Sequence, residues 1–161
     1  MEKLDPKVVW IFFFRFLTAG LILALILGYF FRIFIMAINF AFAWLIIILF
    51  AVIGIFGSYG WAKLSYNAYK FELTEETFKK EHGVICKRYI SIPYGRIQNI
   101  DIHRGILARI LGLSDLMIQT AGYAGAYPGD PEGRLPGLSK EKAEAIREEL
   151  IRRAKEAKSG L

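Results

Sequence analysis

Two long apolar stretches dominate this chain and limit what it can become. Residues 8–31 form a run of 24 with a single charge, Arg15, and residues 40–57 form a run of 18 with none. About 20 apolar residues cross the roughly 30 Å hydrocarbon core of a bilayer as a helix, so both stretches predict membrane spans. Charge is segregated to match. The 161 residues carry 21 Lys+Arg against 15 Asp+Glu, a net charge of +6, and nearly all of it lies in residues 63–161. Such a division predicts a membrane anchor followed by a small charged domain. Disorder is excluded by the apolar content, and a disulfide-stapled scaffold by the single cysteine, Cys86.

Aromatic residues agree with two spans. Trp10 and Tyr29 are 19 positions apart, and Trp44 and Trp61 are 17 apart. As helix these separations are about 28 and about 26 Å, close to the spacing of the two interfacial belts. Gly20, Gly28, Gly54 and Gly57 are of the kind that lets membrane helices approach closely, and are also common in such helices without that role. The flank MEKLDPK is weakly positive, the first apolar run is longer than a signal-peptide core, and no small-residue cleavage site follows it. A retained anchor is therefore expected. Lys3 and Lys7 precede the first span, and Lys63, Lys70, Lys79 and Lys80 follow the second, whereas the connection offers Arg32 alone. The positive-inside bias then predicts both termini in the cytoplasm, with residues 1–65 forming the hairpin. Arg15 has no acidic residue in either span to pair with, which favours snorkelling to the headgroups over an intramembrane site.

Beyond residue 65 the period changes. Short strands are predicted over 69–73, 77–82, 84–92, 97–103 and 115–120. A short helix is expected over 106–111, with Ile106, Leu107 and Ile110 inward and Gly112 as its stop. Residues 122–137, rich in Gly, Pro, Tyr and Ala, read as an irregular loop with room for one short strand. Ser139 caps a final helix over about 139–158, with an apolar stripe of Ala143, Ile146, Leu150, Ile151 and Ala154. The expected fold is membrane-anchored α+β: a transmembrane helical hairpin, then residues 66–161 as a curved antiparallel half-barrel closed by an amphipathic helix.

The run IPYGRIQNIDI at 92–102, followed by RGILARILGL at 104–113 and LMIQTAG at 116–122, resembles the bacterial pleckstrin-homology-like family, also called membrane-flanked domains. The segment LPGLSKE at 135–141 resembles that family's closing stretch before its last helix. The resemblance covers about residues 65–152, and the two preceding spans match the family's usual layout. It implies a partly open pleckstrin-homology (PH) barrel plugged by the C-terminal helix. It brings no catalytic residues and no agreed ligand. Within the motif, Pro93 is expected to fix the strand end and Gly95 to permit an unusual turn around Tyr94, while Gly105 and Gly112 bracket the short helix.

Chemistry-bearing residues are sparse. Cys86 is predicted in mid-strand, and His82 and His103 stand at spacings that suit neither a nucleophile pair nor a metal site. No catalysis, cofactor or metal is expected. His103 beside Asp101 reads as part of a solvated polar face. Lys87, Arg88, Arg96 and Arg104 are the candidate contacts for an anionic headgroup or small ligand, with a solvated basic face as the competing reading. Nucleic acid is disfavoured, because no recognised binding motif or stacking platform accompanies the charge.

These readings lead to a non-enzymatic membrane protein that offers a PH-like domain at the cytoplasmic face for protein interaction and assembly, with copies of itself among the expected partners. An anionic lipid-headgroup or small-ligand module is the alternative. An accessory subunit of a larger membrane complex is a third.

Overall fold

In the computed structural model the described residues are 2–30, 40–121 and 132–159. Helix α1 spans Val8–Phe30 and helix α2 spans Phe40–Ala68, lengths of 23 and 29 residues. At 1.5 Å per residue they are about 34 and about 43 Å long, enough to cross a bilayer. Their apolar side chains stay exposed, from Leu21 to Phe30 on α1 and from Trp44 to Phe56 on α2, as lipid-facing residues must. The two helices meet through aromatic edges: Tyr59 lies 6.4 Å from both Trp10 and Phe13, and Phe16 lies 6.5 Å from Trp61. Glycine does not mediate this contact. A Cβ added at Gly20, Gly28, Gly54 or Gly57 would meet nothing within 4 Å. The connection containing Arg32 lies outside the described residues.

The remaining unit comprises the N-terminal residues through Val8 together with residues from Ser65 onward. Strands β1 (Lys70–Leu73), β2 (Thr77–His82) and β3 (Arg88–Pro93) form one antiparallel sheet in that order. A single 3-10 turn, Tyr94–Arg96, leads into the second sheet, β4 (Ile97–His103), β5 (Leu113–Thr120) and β6 (Gly133–Ser139). The short helix α3 (Ile106–Ile110) joins β4 to β5, and α4 (Lys140–Ser159) packs on the 3-10 turn and on β4, β5 and β6.

Alternation along the strands sends Phe71, Phe78, Ile92, Leu116, Ile118 and Leu135 inward, each 1% exposed or less. The α4 stripe of Ala143, Ile146, Leu150 and Ala154 covers that core. At Gly133 the two sheets pack closely, since a Cβ there would fall 2.9 Å from Ile92 of the other sheet. Ser139 caps α4 as its sequence position implies, its hydroxyl accepting from the Lys142 amide at 3.3 Å.

The N-terminal tail, left with the hairpin on sequence grounds, folds with the sheets. Glu2 exchanges two backbone hydrogen bonds with Phe71, at 2.7 and 3.0 Å, and the Asp5 amide donates to the Gly137 carbonyl. Leu4 and Val8 are buried. Residues 2–8, before the first long helix, and residues 65 onward, at the end of the second, thus belong to one common fold.

Three local expectations are corrected. Strand β3 begins at Arg88 rather than Val84, because Gly83 takes φ +107° and the chain turns so tightly that a Cβ there would fall 2.0 Å from the Cys86 carbonyl oxygen. Cys86 therefore lies exposed in a turn and not in mid-strand. Ile106, Leu107 and Ile110 point outward, at 78%, 41% and 75% exposure, and Ala108 alone is buried. A helix of one turn held between β4 and β5 presents a single residue to the sheet, and the small one sits closest. The stretch 122–137, expected as a loop with room for one short strand, contains the start of strand β6 at Gly133, and residues 122–131 lie outside the described residues.

Candidate functional site

The four basic candidates do not converge. Lys87 and Arg88 lie in and just after the β2–β3 turn, where Arg88 pairs in register with His82. Arg96 closes the 3-10 turn at the other end of β3, its guanidinium donating to the Ala121 carbonyl at 3.1 Å. Arg104 follows the far end of β4, and its Nε donates to the Leu113 carbonyl at 3.2 Å. Each strand rises about 3.3 Å per residue, so six-residue β3 separates Arg96 from Lys87 and Arg88, and seven-residue β4 separates Arg104 from Arg96.

Lys87 is also engaged locally. Its ammonium lies 3.2 Å from the Glu81 carboxylate. That hydrogen bond holds the Glu81 carboxyl below its ordinary value and raises Lys87. His82, partly buried beside them, is held below its ordinary value first by burial and then by the Lys80 charge.

The motif residues Pro93, Tyr94 and Gly95 have a structural role. Tyr94 is 2% exposed, and its hydroxyl donates to the Thr74 carbonyl at 2.7 Å. Arg153 of α4 donates to that same carbonyl and to the Tyr94 hydroxyl. Gly95 has no positive φ, and a Cβ there would meet nothing within 4 Å, so the expected special turn is absent at that position. Gly105 precedes α3 at φ −67°, and Gly112 terminates it at φ +72°, the left-handed conformation that favours glycine.

Sequence reasoning missed a polar cluster under β6. Asp115 is 8% exposed, accepts from Arg134 at 2.6 Å and accepts from the Gly137 amide at 3.0 Å. The Tyr69 hydroxyl donates to the Arg134 carbonyl, and burial pushes this phenol well above its ordinary value. These contacts tie β1, β5 and β6 together. Asp115 was read only as the start of a strand, because its partners come from a segment that carries no periodic signal.

No group of three or more His, Cys, Asp and Glu side chains with metal-binding proximity occurs among the described residues. Asp101 accepts from Asn99 at 2.8 Å and from Gln119 at 3.4 Å, a local polar network on the exposed face of β4. An open polar dish lined by Thr74, Glu75, Glu76, Thr77, Lys79 and Ser91 lies at the β1–β2 turn. Among the described residues the sheet unit also exposes two apolar features: the outward side chains of α3, and Ile85 with Tyr89 at the β2–β3 turn.

Comparison with known proteins places this architecture. Residues 12–154 match the family described as bacterial PH domain, a match that takes in both long helices and both sheets. The chain is also similar to UPF0699 transmembrane protein YdbT of Bacillus subtilis (strain 168), with 30% identity over 92 residues. That alignment covers 56% of this chain but 17% of the Bacillus protein. No solved structure matches. A match across most of the chain, two bilayer-length helices, and two small antiparallel sheets covered by a C-terminal helix together establish that this chain belongs to the bacterial PH domain family.

Proposed function

We propose that this membrane-anchored protein is a non-enzymatic assembly module, presenting its PH-like domain at the cytoplasmic face to other proteins, including further copies of this chain. The observation that carries this reading is the outward face of α3. Ile106 and Ile110 are 78% and 75% exposed one helical turn apart, with Leu107 beside them and Arg104 and Arg109 at the flanks. A group of exposed branched side chains on a small domain is characteristic of a contact surface. Tethering favours weak contacts as well, since a short linker raises local concentration to about the mM range. The cytoplasmic assignment rests on Lys3, Lys7, Lys63 and Lys70 flanking the spans.

Native mass spectrometry of the full-length protein, gently extracted from membranes, tests this reading. A defined multi-copy assembly is expected, and Ile106→Ser with Ile110→Ser should dissociate it. A monomer retaining one anionic lipid would overturn it.

A second reading, an anionic headgroup site, draws on the pairing of Lys87 and Arg88 with exposed apolar neighbours. The separation of Arg96 from that pair, and of Arg104 from Arg96, weighs against a single four-residue pocket.

A further inference from the structure

The β2–β3 turn occupies a particular end of its sheet. Helix α2 ends at Ala68 and β1 begins at Lys70, so the chain enters the first sheet at the Lys70 end. Lys70 pairs with Glu81, the penultimate residue of β2. The turn that follows, residues 83–87, therefore projects from the edge of the sheet through which the chain arrives from its membrane span. The β1–β2 turn, with Glu75 and Glu76, lies at the opposite edge.

The side chains of this turn are unusual for a solvated loop. Ile85 is 79% exposed and Tyr89 is 69% exposed. Between them stand Lys87 and Arg88, and Lys70 adds a third cation at the same edge. The Glu81 carboxylate offsets one of these charges through Lys87, and Arg88 has no carboxylate partner among the described residues. Gly83, at φ +107°, makes the turn tight. A rigid tip bearing a branched aliphatic side chain, an amphipathic tyrosine and net positive charge matches the chemistry of an anionic bilayer surface. The aliphatic group enters the acyl boundary, the phenol sits at the headgroup level, and the cations meet phosphate.

We propose that the β2–β3 turn is a bilayer-docking tip: Ile85 and Tyr89 contact the anionic membrane in which this protein is anchored, and Lys87, Arg88 and Lys70 bind its headgroups. The tip adds a contact to the covalent tether and so restrains how the domain stands on the membrane. It shares no residue with the outward face of α3, and it rests on the long helices spanning that bilayer.

Cys86, the only cysteine and exposed within the turn, allows a direct test. The full-length protein carries a nitrobenzoxadiazole label on Cys86 and is reconstituted in vesicles of phosphatidylcholine, with or without phosphatidylglycerol. A parallel sample places the label at the opposite edge, through Glu75→Cys in a Cys86→Ser background. The Cys86 label should shift to the blue and be quenched by lipid-borne nitroxide in the anionic vesicles, and less so in the neutral ones. The residue-75 label should report water in both. Lys87→Glu and Arg88→Glu should each lower the docking equilibrium at least about fivefold, the effect of about one surface charge near an anionic membrane. A Cys86 label as wet as the residue-75 label would overturn the proposal. So would a label that is shielded but untouched by lipid nitroxide, since a protein would then be the occupant. Native mass spectrometry of the same samples separates the two readings: lost docking with the assembly intact sinks only the tip, and a monomer with docking intact sinks only the assembly role.

Discussion

Arg153 on the C-terminal helix lies 3.2 Å from the Tyr94 hydroxyl and 5.5 Å from the centre of its ring. Both residues also donate to the carbonyl of Thr74. Three elements distant in sequence, the β1–β2 turn, the 3-10 turn between the sheets and the last helix, thus meet at one oxygen. The Lys158 ammonium adds a second tie, to the Ile97 carbonyl at 2.9 Å. The motif around Tyr94 therefore holds the C-terminal helix in place across the junction of the sheets.

Removing the hydroxyl should loosen that junction. Tyr94→Phe keeps the ring and its contact with Arg153 but leaves the Thr74 carbonyl with one donor fewer. A loss of about 0.5–1.5 kcal/mol is expected, the net value of one hydrogen bond, because Arg153 still donates to that carbonyl. Denaturant unfolding of the full-length protein in detergent measures it, and Arg153→Met combined with Tyr94→Phe should cost less than the sum of the single changes.

The junction is also sensitive to acid. Hydrogen bonds from Arg152 and then Arg153 hold the Glu149 carboxyl down to about 2, against its usual 4.5. A carboxyl depressed on folding contributes stability above its unfolded value. That contribution declines as pH falls below about 4.5 and is gone once pH reaches about 2. Thermal unfolding followed across this interval should show the decline in the native protein and a flatter profile in Glu149→Gln. Equal slopes would mean that Glu149 is not held as described.

Gly137 and Gly95 should respond unequally to alanine. Gly137 sits at φ +63°, and a Cβ there would fall 2.1 Å from a Val8 methyl carbon. Gly137→Ala should cost about 1 kcal/mol for backbone strain and a further amount of about 1–3 kcal/mol for overpacking. Val8→Ala in the same chain should recover part of it, read as protection of residues 2–8 from hydrogen exchange. Gly95→Ala has open space and an ordinary φ, so a change within about 0.5 kcal/mol is expected there.

Topology can be read from either end of the anchor. Because residues 2–8 fold with the sheets, a cysteine at exposed Lys3 and the native Cys86 should react with a membrane-impermeant maleimide from the same side. In inverted membrane vesicles, which expose the cytoplasmic face, both should label. Labelling of only one of them would contradict an even number of spans.

Much of this is legible in the amino-acid sequence alone. The two spans follow from apolar runs without counter-charges, since a stretch like 40–57 has no favourable solvated state. Strand β2 and the capped, striped α4 follow from local periodicity, because each residue's partner lies a fixed number of positions away. Other features had no local signal. Ile106, Leu107 and Ile110 are apolar but face outward, because the ends of their one-turn helix are set by the pairing of His103 with Asp115. Asp115 is buried because Arg134 and the Gly137 amide reach it from a strand hidden in a glycine- and proline-rich stretch. Lys87, Arg88, Arg96 and Arg104 are near neighbours in sequence, but β3 carries Arg96 away from the first two and β4 carries Arg104 away from Arg96. Residues 2–8 look like a tail, and only their hydrogen bonds with Phe71 and Gly137 make them part of the domain. The sequence by itself determined which segments leave water and which elements form, since hydrophobicity and period are local. Tertiary structure alone decided which side chains meet, because that depends on strand register and on contacts between residues tens of positions apart.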